Sequence, residues 1–227
     1  MDERSFIENL RSTLQGRRRV PAAALPLGSL HVRSDPAEMV EGFARELEAA
    51  DGVVYRAGSL EEARVRIQEI VTRKNIQSVV RANTAFDREL EMDAALTDSG
   101  VTVTVGDLRG ETTGEQIRDA EFDADAGMTS VDYGVAETGT LAVLARPGQG
   151  RAISLLCPIH IALLRSSGIV SDLSVLVERV ITEREELPSA LTFITGPSRT
   201  ADIELVLTVG VHGPKELHVV LLEDNSQ

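Results

Sequence analysis

Two polar stretches, far apart in the chain, carry the residue types that ligand chemistry needs. The first is Asp132-Tyr133-Gly134-Val135-Ala136-Glu137-Thr138-Gly139-Thr140, directly ahead of an apolar run. Glycines let a backbone approach a ligand closely, and Glu137 is a candidate catalytic group able to accept a proton or a substrate hydroxyl's hydrogen bond. Thr138, Gly139 and Thr140 are candidate binding residues beside it. The competing reading is a capped turn whose threonine hydroxyls satisfy loop amides. The second stretch is Thr195-Gly196-Pro197-Ser198-Arg199-Thr200-Ala201-Asp202-Ile203-Glu204. There an apolar strand pattern ends in Gly-Pro, followed by hydroxyls, an arginine and the expected start of a helical turn. Free amides at such a start attract anions, and a guanidinium grips a carboxylate or phosphate through two hydrogen bonds. Gly196, Ser198, Arg199, Thr200 and Asp202 form a candidate anion site. The alternative is a helix cap, with Arg199 paired to Asp202 or Glu204.

Three further features carry weaker signals. Pro147-Gly148-Gln149-Gly150-Arg151 lacks the Gly-Lys-Ser/Thr of a P-loop and the third glycine and following helix of a dinucleotide fingerprint. It reads as a hairpin turn, with Arg151 at its exit a candidate anion contact. His212, between Gly210 and Gly213, is either a titratable loop group at the same site or a turn residue bonded to backbone. His160 and His218 lie in apolar runs and read as satisfied core groups. No His, Asp and Glu spacing makes a recognisable zinc site, so no metal is expected. The single cysteine, Cys157, sits in ISLLCPIHIALL and reads as a small buried hydrophobe. One thiol permits neither an internal disulfide nor an all-cysteine iron–sulfur site.

The elements that must position these residues alternate. The main domain is expected over 34–227, opening with Asp35, Pro36 and Glu38 in helix-start positions and Met39, Val40, Phe43 and Leu47 on one apolar face. VVYR (53–56) reads as a strand. Ser59 and Glu62 cap a helix with Ala63, Ile67, Ile70 and Val71 inward. IQSVVR (76–81) is a strand, DRELEMDAAL a helix and VTVTV (101–105) a strand. TLAVLA follows the first polar stretch as a strand, and ARPGQGRAISLL reads as a turn between two strands. IHIALL is a core strand. SDLSVLVERVITE is a helix with Leu173, Leu176, Val177 and Val180 inward. ALTFIT and ELHVVLLE complete the pattern. Repeats of this kind predict a three-layer α/β/α fold with a mainly parallel sheet, whose ligands usually sit where loops leave the strands' carboxyl ends. Residues 1–33 read separately, as a short amphipathic helix with Phe6, Leu10 and Leu14 on one face, then a Pro/Ala-rich extended arm. That helical arm suits a subunit clasp, in a homo-oligomer or otherwise, or packs back on its own domain.

Composition narrows the function classes. The chain has 227 residues, 3% aromatics and no tryptophan, so the core must be aliphatic. A net charge of −13 repels phosphate backbones and argues against nucleic-acid binding. The apolar runs fall well short of the roughly 20 residues that span a bilayer, and the charged N-terminus lacks a signal-peptide core. A cytoplasmic protein without a membrane span is expected.

DYGVAETGTL, PGQGR, LLCPIHIAL, LPSALTFITGPSRTADIE and GVHGPKELHVVLL follow one another as in the lactate utilization protein C (LutC/YkgG) family, which carries the LUD domain. The resemblance covers 34–227 and is densest from Asp132 to Leu222. It implies a fold like that of the NagB/RpiA/CoA-transferase group. It also implies a part in oxidising L-lactate to pyruvate alongside partner subunits that carry the iron–sulfur clusters; the residues themselves point to a small anionic metabolite as ligand, and no cofactor is identifiable in this chain. Two alternatives stay open: a stand-alone transferase or isomerase using Glu137, by analogy with the glutamate of CoA transferases, and a structural or regulatory subunit.

Overall fold

The computed structural model describes residues 35–110, 113–183, 188–201, 207–209 and 213–223, with the side chains of 200, 201 and 207–209 left undescribed. The arm expected over 1–33 lies outside the described residues. The first described element is helix α1 (Pro36–Ala49), started by Asp35, whose carboxylate accepts from the Ala37 amide, with proline in the first turn. Strand β1 (Val53–Ala57) and helix α2 (Leu60–Arg73) follow, the latter capped by Ser59. After β2 (Ser78–Arg81), the chain forms two short helices, α3 (Ala85–Leu90) and α4 (Met92–Asp98). The single helix expected here is broken because Glu91 takes the left-handed conformation, φ 48°. Strand β3 (Thr102–Val105), helix α5 (Gly114–Asp123) and strand β4 (Ala126–Ser130) come next.

Six strands form one parallel sheet in the order β1-β12-β7-β4-β2-β3, where β7 is Ile159–Arg165 and β12 is Glu216–Leu222. This is the mainly parallel α/β architecture expected from the strand–helix alternation. The middle strands are buried on both faces, which explains their nearly continuous apolar sequence. One face packs against α2, α3 and α4 through Ile67, Ile70, Leu90 and Leu96 on one side and Met128, Ile161 and Val220 on the other. The opposite face receives Phe43 and Leu47 of α1, both fully buried. Burial of such a side chain is worth about 1.5–3 kcal/mol, so α1 is fixed chiefly by these two.

That second face also carries a smaller sheet, in the order β8-β5-β6-β9, from β5 (Tyr133–Val135), β6 (Thr140–Leu144), β8 (Ile169–Val170) and β9 (Leu191–Ile194). Helix α6 (Leu173–Thr182) packs on it through Leu176 and Val180. Leu173 and Val177, expected inward, are 47% and 41% exposed, because the helix rests on this sheet along a narrow line. The segment read as a turn between two strands is a tight turn bridging Arg146 and Gln149, then a 3-10 helix, Arg151–Ser154. This helix crosses over β4 at Gly127, where any Cβ would overlap the Ile153 carbonyl. The helical turn expected after Pro197 is instead strand β10 (Arg199–Ala201), paired antiparallel with β11 (Leu207–Val209). Among the described residues no helix is long and apolar enough to cross a membrane.

Candidate functional site

Parallel strands give the large sheet two rims, one where strands begin and one where they end. The two polar bends predicted from the sequence meet at the beginning rim. The turn after β5 holds Gly139 at φ 63°, and a Cβ there would strike the Leu47 amide of α1. Gly196 has φ 85° and lies as close to the Ala50 carbonyl. Both bends therefore rest on the last turn of α1, and only glycine admits that approach. Contact between them is direct. Thr138 Oγ1 lies 2.7 Å from Thr140 Oγ1, which lies 2.8 Å from Thr195 Oγ1.

Around this hydroxyl string the other candidates are distributed unevenly. Glu137 is exposed, and its amide donates to the Ser171 carbonyl at 3.0 Å. Ser198 is half-buried, its amide bonded to the Pro214 carbonyl at 2.8 Å. Arg199 forms an ion pair with Asp51, beside a cavity of about 270 Å³ that Lys215 and Glu216 also line. The sequence reading paired Arg199 with Asp202 or Glu204 as the alternative to ligand binding, and the acid observed against it is Asp51. Their side chains are 40% and 67% exposed, so the pair is worth about 0–1 kcal/mol and exchanges readily with a competing anion. Thr200 lies in β10 with its side chain undescribed; Asp202 and His212 lie outside the described residues. Arg151 is not brought to this group. It follows the glycine turn and stands exposed at the ending rim.

The core histidines occupy places suited to neutral rings. His160 is fully buried, its Nε2 2.8 Å from Thr129 Oγ1, and burial pushes its pKa down to about 4. His218 bridges Tyr55, 3.2 Å from Nδ1, and Glu216, 2.9 Å from Nε2, with Lys74 2.5 Å from the same carboxylate. Burial lowers its pKa while Glu216 opposes the shift. Burial also pushes the Cys157 thiol up to about 12. Among the described residues no group of three or more His, Cys, Asp and Glu is arranged to hold a metal.

A second concave region, which the sequence reading missed, lies at the ending rim. A cleft of about 390 Å³ opens beyond β3, between Gly106, α5 and the Pro147–Gly150 turn. Gly148, at φ 79°, leaves no room for a side chain between the Asn83 carbonyl and Arg109. Gln149 is buried and pins the turn by donating from Nε2 to the Ser130 carbonyl at 2.7 Å. Asp107 is held by Arg109, with Nε–Oδ1 at 2.9 Å and Nη2–Oδ2 at 2.8 Å, and by Asn83 at 2.8 Å. The Arg109 guanidinium, then its amide, then Asn83 hold the Asp107 carboxyl well below the usual range. Arg146 forms an ion pair with Asp132, whose other oxygen accepts from the Leu144 amide at 2.9 Å. Only PGQGR signalled this region in the sequence. Asn83, Asp107, Arg109, Arg118 and Glu121 carry no local signature and meet through folding alone.

Residues 40–222 match the family model described as LUD domain. The chain is 33% identical over 163 residues to lactate utilization protein C of Anoxybacillus flavithermus, covering 72% of this chain and 71% of that one. It is 40% identical over 116 residues to lactate utilization protein C of Halalkalibacterium halodurans, covering 50% of each. Against the latter, as against lactate utilization protein C of Shouchella clausii at 48%, the match spans about half the relative's length. A crystal structure of a DUF162 family protein from Deinococcus radiodurans superposes with a TM-score of 0.59 at 23% identity, covering 83% of this chain and 98% of that one. At that identity the likeness establishes the fold.

Proposed function

The chain belongs to the LUD domain family, and from that premise we propose that it serves L-lactate utilization as a subunit without an iron–sulfur cluster of its own, binding a small carboxylate at the beginning rim. The observation that carries this reading is the 2.8 Å contact between Thr140 and Thr195, which joins the two polar bends, the second of which leads on to Arg199. A ligand carboxylate replaces Asp51 on the Arg199 guanidinium, exchanging a weak solvent-screened pair for a charge-assisted fork. The threonine string then offers hydroxyls that both donate and accept, as a 2-hydroxy acid requires. In this reading Glu137, exposed at the same bend, takes the proton released when the hydroxyl becomes a carbonyl. The relatives named lactate utilization protein C support the metabolic assignment. Oxidation to pyruvate breaks the O–H and Cα–H bonds and releases two protons and two electrons: Glu137 takes the hydroxyl proton, the Cα proton passes to solvent, and the iron–sulfur partner subunits receive the electrons, since one cysteine cannot ligate such a cluster here.

The test reconstitutes the chain with those partners and follows pyruvate formation. Arg199→Ala is expected to raise the KM for L-lactate about 10- to 100-fold, the effect of losing a hydrogen bond to a charged group. Unchanged kinetics in that variant remove the beginning rim from the mechanism. Glu137→Gln separates the roles: a fall in kcat with KM preserved marks proton transfer, whereas an acyl adduct trapped on Glu137 points to transferase chemistry instead.

A further inference from the structure

The cleft at the ending rim shares no residue with the site above, and its charges do not balance. Five ionisable groups line it: Arg109, Arg118, Arg146, Asp107 and Glu121. Arg109 is committed to Asp107, and Arg146 to Asp132 beneath it. Arg118 has no ion-pair partner among the described residues, and its exposed guanidinium opens onto the cleft. Glu121 is the one acid left to answer it. Its carboxyl makes no hydrogen bond among the described residues, and burial raises its pKa, favouring the neutral form. The remaining surplus is positive, in a chain whose net charge is −13. Arg109 and Arg146 line the same cleft as Arg118. The glycine turn at Gly148 and Gly150 brings backbone close without side-chain cover, and the volume of about 390 Å³ suits a small metabolite.

We propose that this cleft is a second ligand site, taking a small organic molecule whose doubly charged oxyanion group, a phosphate monoester or the paired carboxylates of a dicarboxylic acid, lies against Arg118 between Arg109 and Arg146. A single carboxylate is answered by one guanidinium and leaves the flanking pair unused. A dianion engages Arg118 and an outer N–H of each neighbour at once. Ligands at the strands' carboxyl ends are also the common arrangement in parallel α/β sheets.

Thermal unfolding of the full chain tests the proposal, with glycerol phosphate, succinate and acetate as probes at matched ionic strength. At hundredfold excess over Kd, glycerol phosphate or succinate is expected to raise the midpoint by about 5 °C or more, and acetate at the same concentration to leave the midpoint of Arg199→Ala, whose beginning rim is disabled, unchanged. Arg118 is exposed, so Arg118→Ala is expected to unfold at the wild-type midpoint without ligand and to bind the dianion at least tenfold more weakly. Arg199→Ala is expected to bind it as wild type does, which separates this site from the beginning rim. The relative response to phosphate monoester and dicarboxylate identifies the group. Absence of stabilisation by both dianions, equal binding in Arg118→Ala, or equal weakening in Arg199→Ala overturns the proposal.

Discussion

Thr140 and Thr195, separated by 55 positions in the sequence, place their hydroxyl oxygens 2.8 Å apart and so tie two loops of one site together. Thr140 is 8% exposed and also touches Thr138, so its hydroxyl is shared between two partners. Thr195→Val is expected to cost about 1 kcal/mol in urea unfolding, and Thr140→Val more, because two hydroxyls then lose a partner. In a double-mutant cycle the pair is expected to couple by about 0.5–1.5 kcal/mol. Simple additivity within about 0.3 kcal/mol refutes the bond.

Gly139 is irreplaceable for two independent reasons, a left-handed backbone and the α1 amide against which it lies. Gly139→Ala is expected to destabilise by about 3 kcal/mol or more, lowering the midpoint by roughly 6–12 °C. Gly100 also has positive φ, 84°, yet nothing lies within 4 Å of its Cβ position. Gly100→Ala is therefore expected to cost only about 1 kcal/mol. Equal costs at both positions contradict the packing described.

His160 makes stability depend on pH in a defined window. Its ring stays neutral in the folded protein down to about pH 4, whereas an ordinary histidine takes a proton near 6.5. Between those values the unfolded chain binds the extra proton, so stability is full above about pH 6.5 and declines as pH falls toward 4. The total loss from this residue is of order 3 kcal/mol. His218 is shifted in the same direction and adds to the slope. His160→Gln is expected to keep the bond to Thr129 and flatten the pH profile; an unchanged slope excludes His160 as its source.

Cys157 is fully buried among Val80, Ala82, Ala124 and Ile153. With its thiol pushed up to about 12, almost no thiolate exists at pH 8. Ellman's reagent is expected to leave the native chain unmodified for hours and to titrate one thiol promptly in guanidinium chloride. Rapid native labelling contradicts the burial.

The parts of the fold legible in the sequence are those whose pattern is local. Asp35-Pro36 and Ser59 start helices by bonding amides two and three residues ahead, and the apolar spacing of α1 and α2 follows from a single buried face. Strand β4 has no clear sequence signal because Ala126-Gly127-Met128-Thr129-Ser130 lacks alternation and holds one β-branched residue, Thr129. Gly127 is required there by a helix that arrives from residues 151–154, a demand no neighbour in sequence expresses. Helix α5 was missed for a related reason: its buried side is limited to Ile117 and Glu121, too sparse to give a periodic signal.

The candidate site divides in the same way. Its glycines and threonines stand out as clusters, so the two bends were identifiable, and the structure brings Thr138, Thr140 and Thr195 together. The partner of Arg199 was not identifiable, because Asp51 belongs to the turn between α1 and β1, and pairing between distant charges depends on topology. The cleft at the ending rim is assembled from residues spread over some 70 positions, from Asn83 to Gly150, and is visible only in three dimensions.

Among the described residues strand β1 has a single neighbour in its sheet, β12, with Val53 opposite His218 and Ala57 opposite Leu222. During synthesis β1 thus waits for a strand made about 160 residues later, and β7 shows an unpaired flank until residues 216–222 emerge. Premature termination between β7 and β12 strands both edges, making truncated products prone to clumping rather than partly functional.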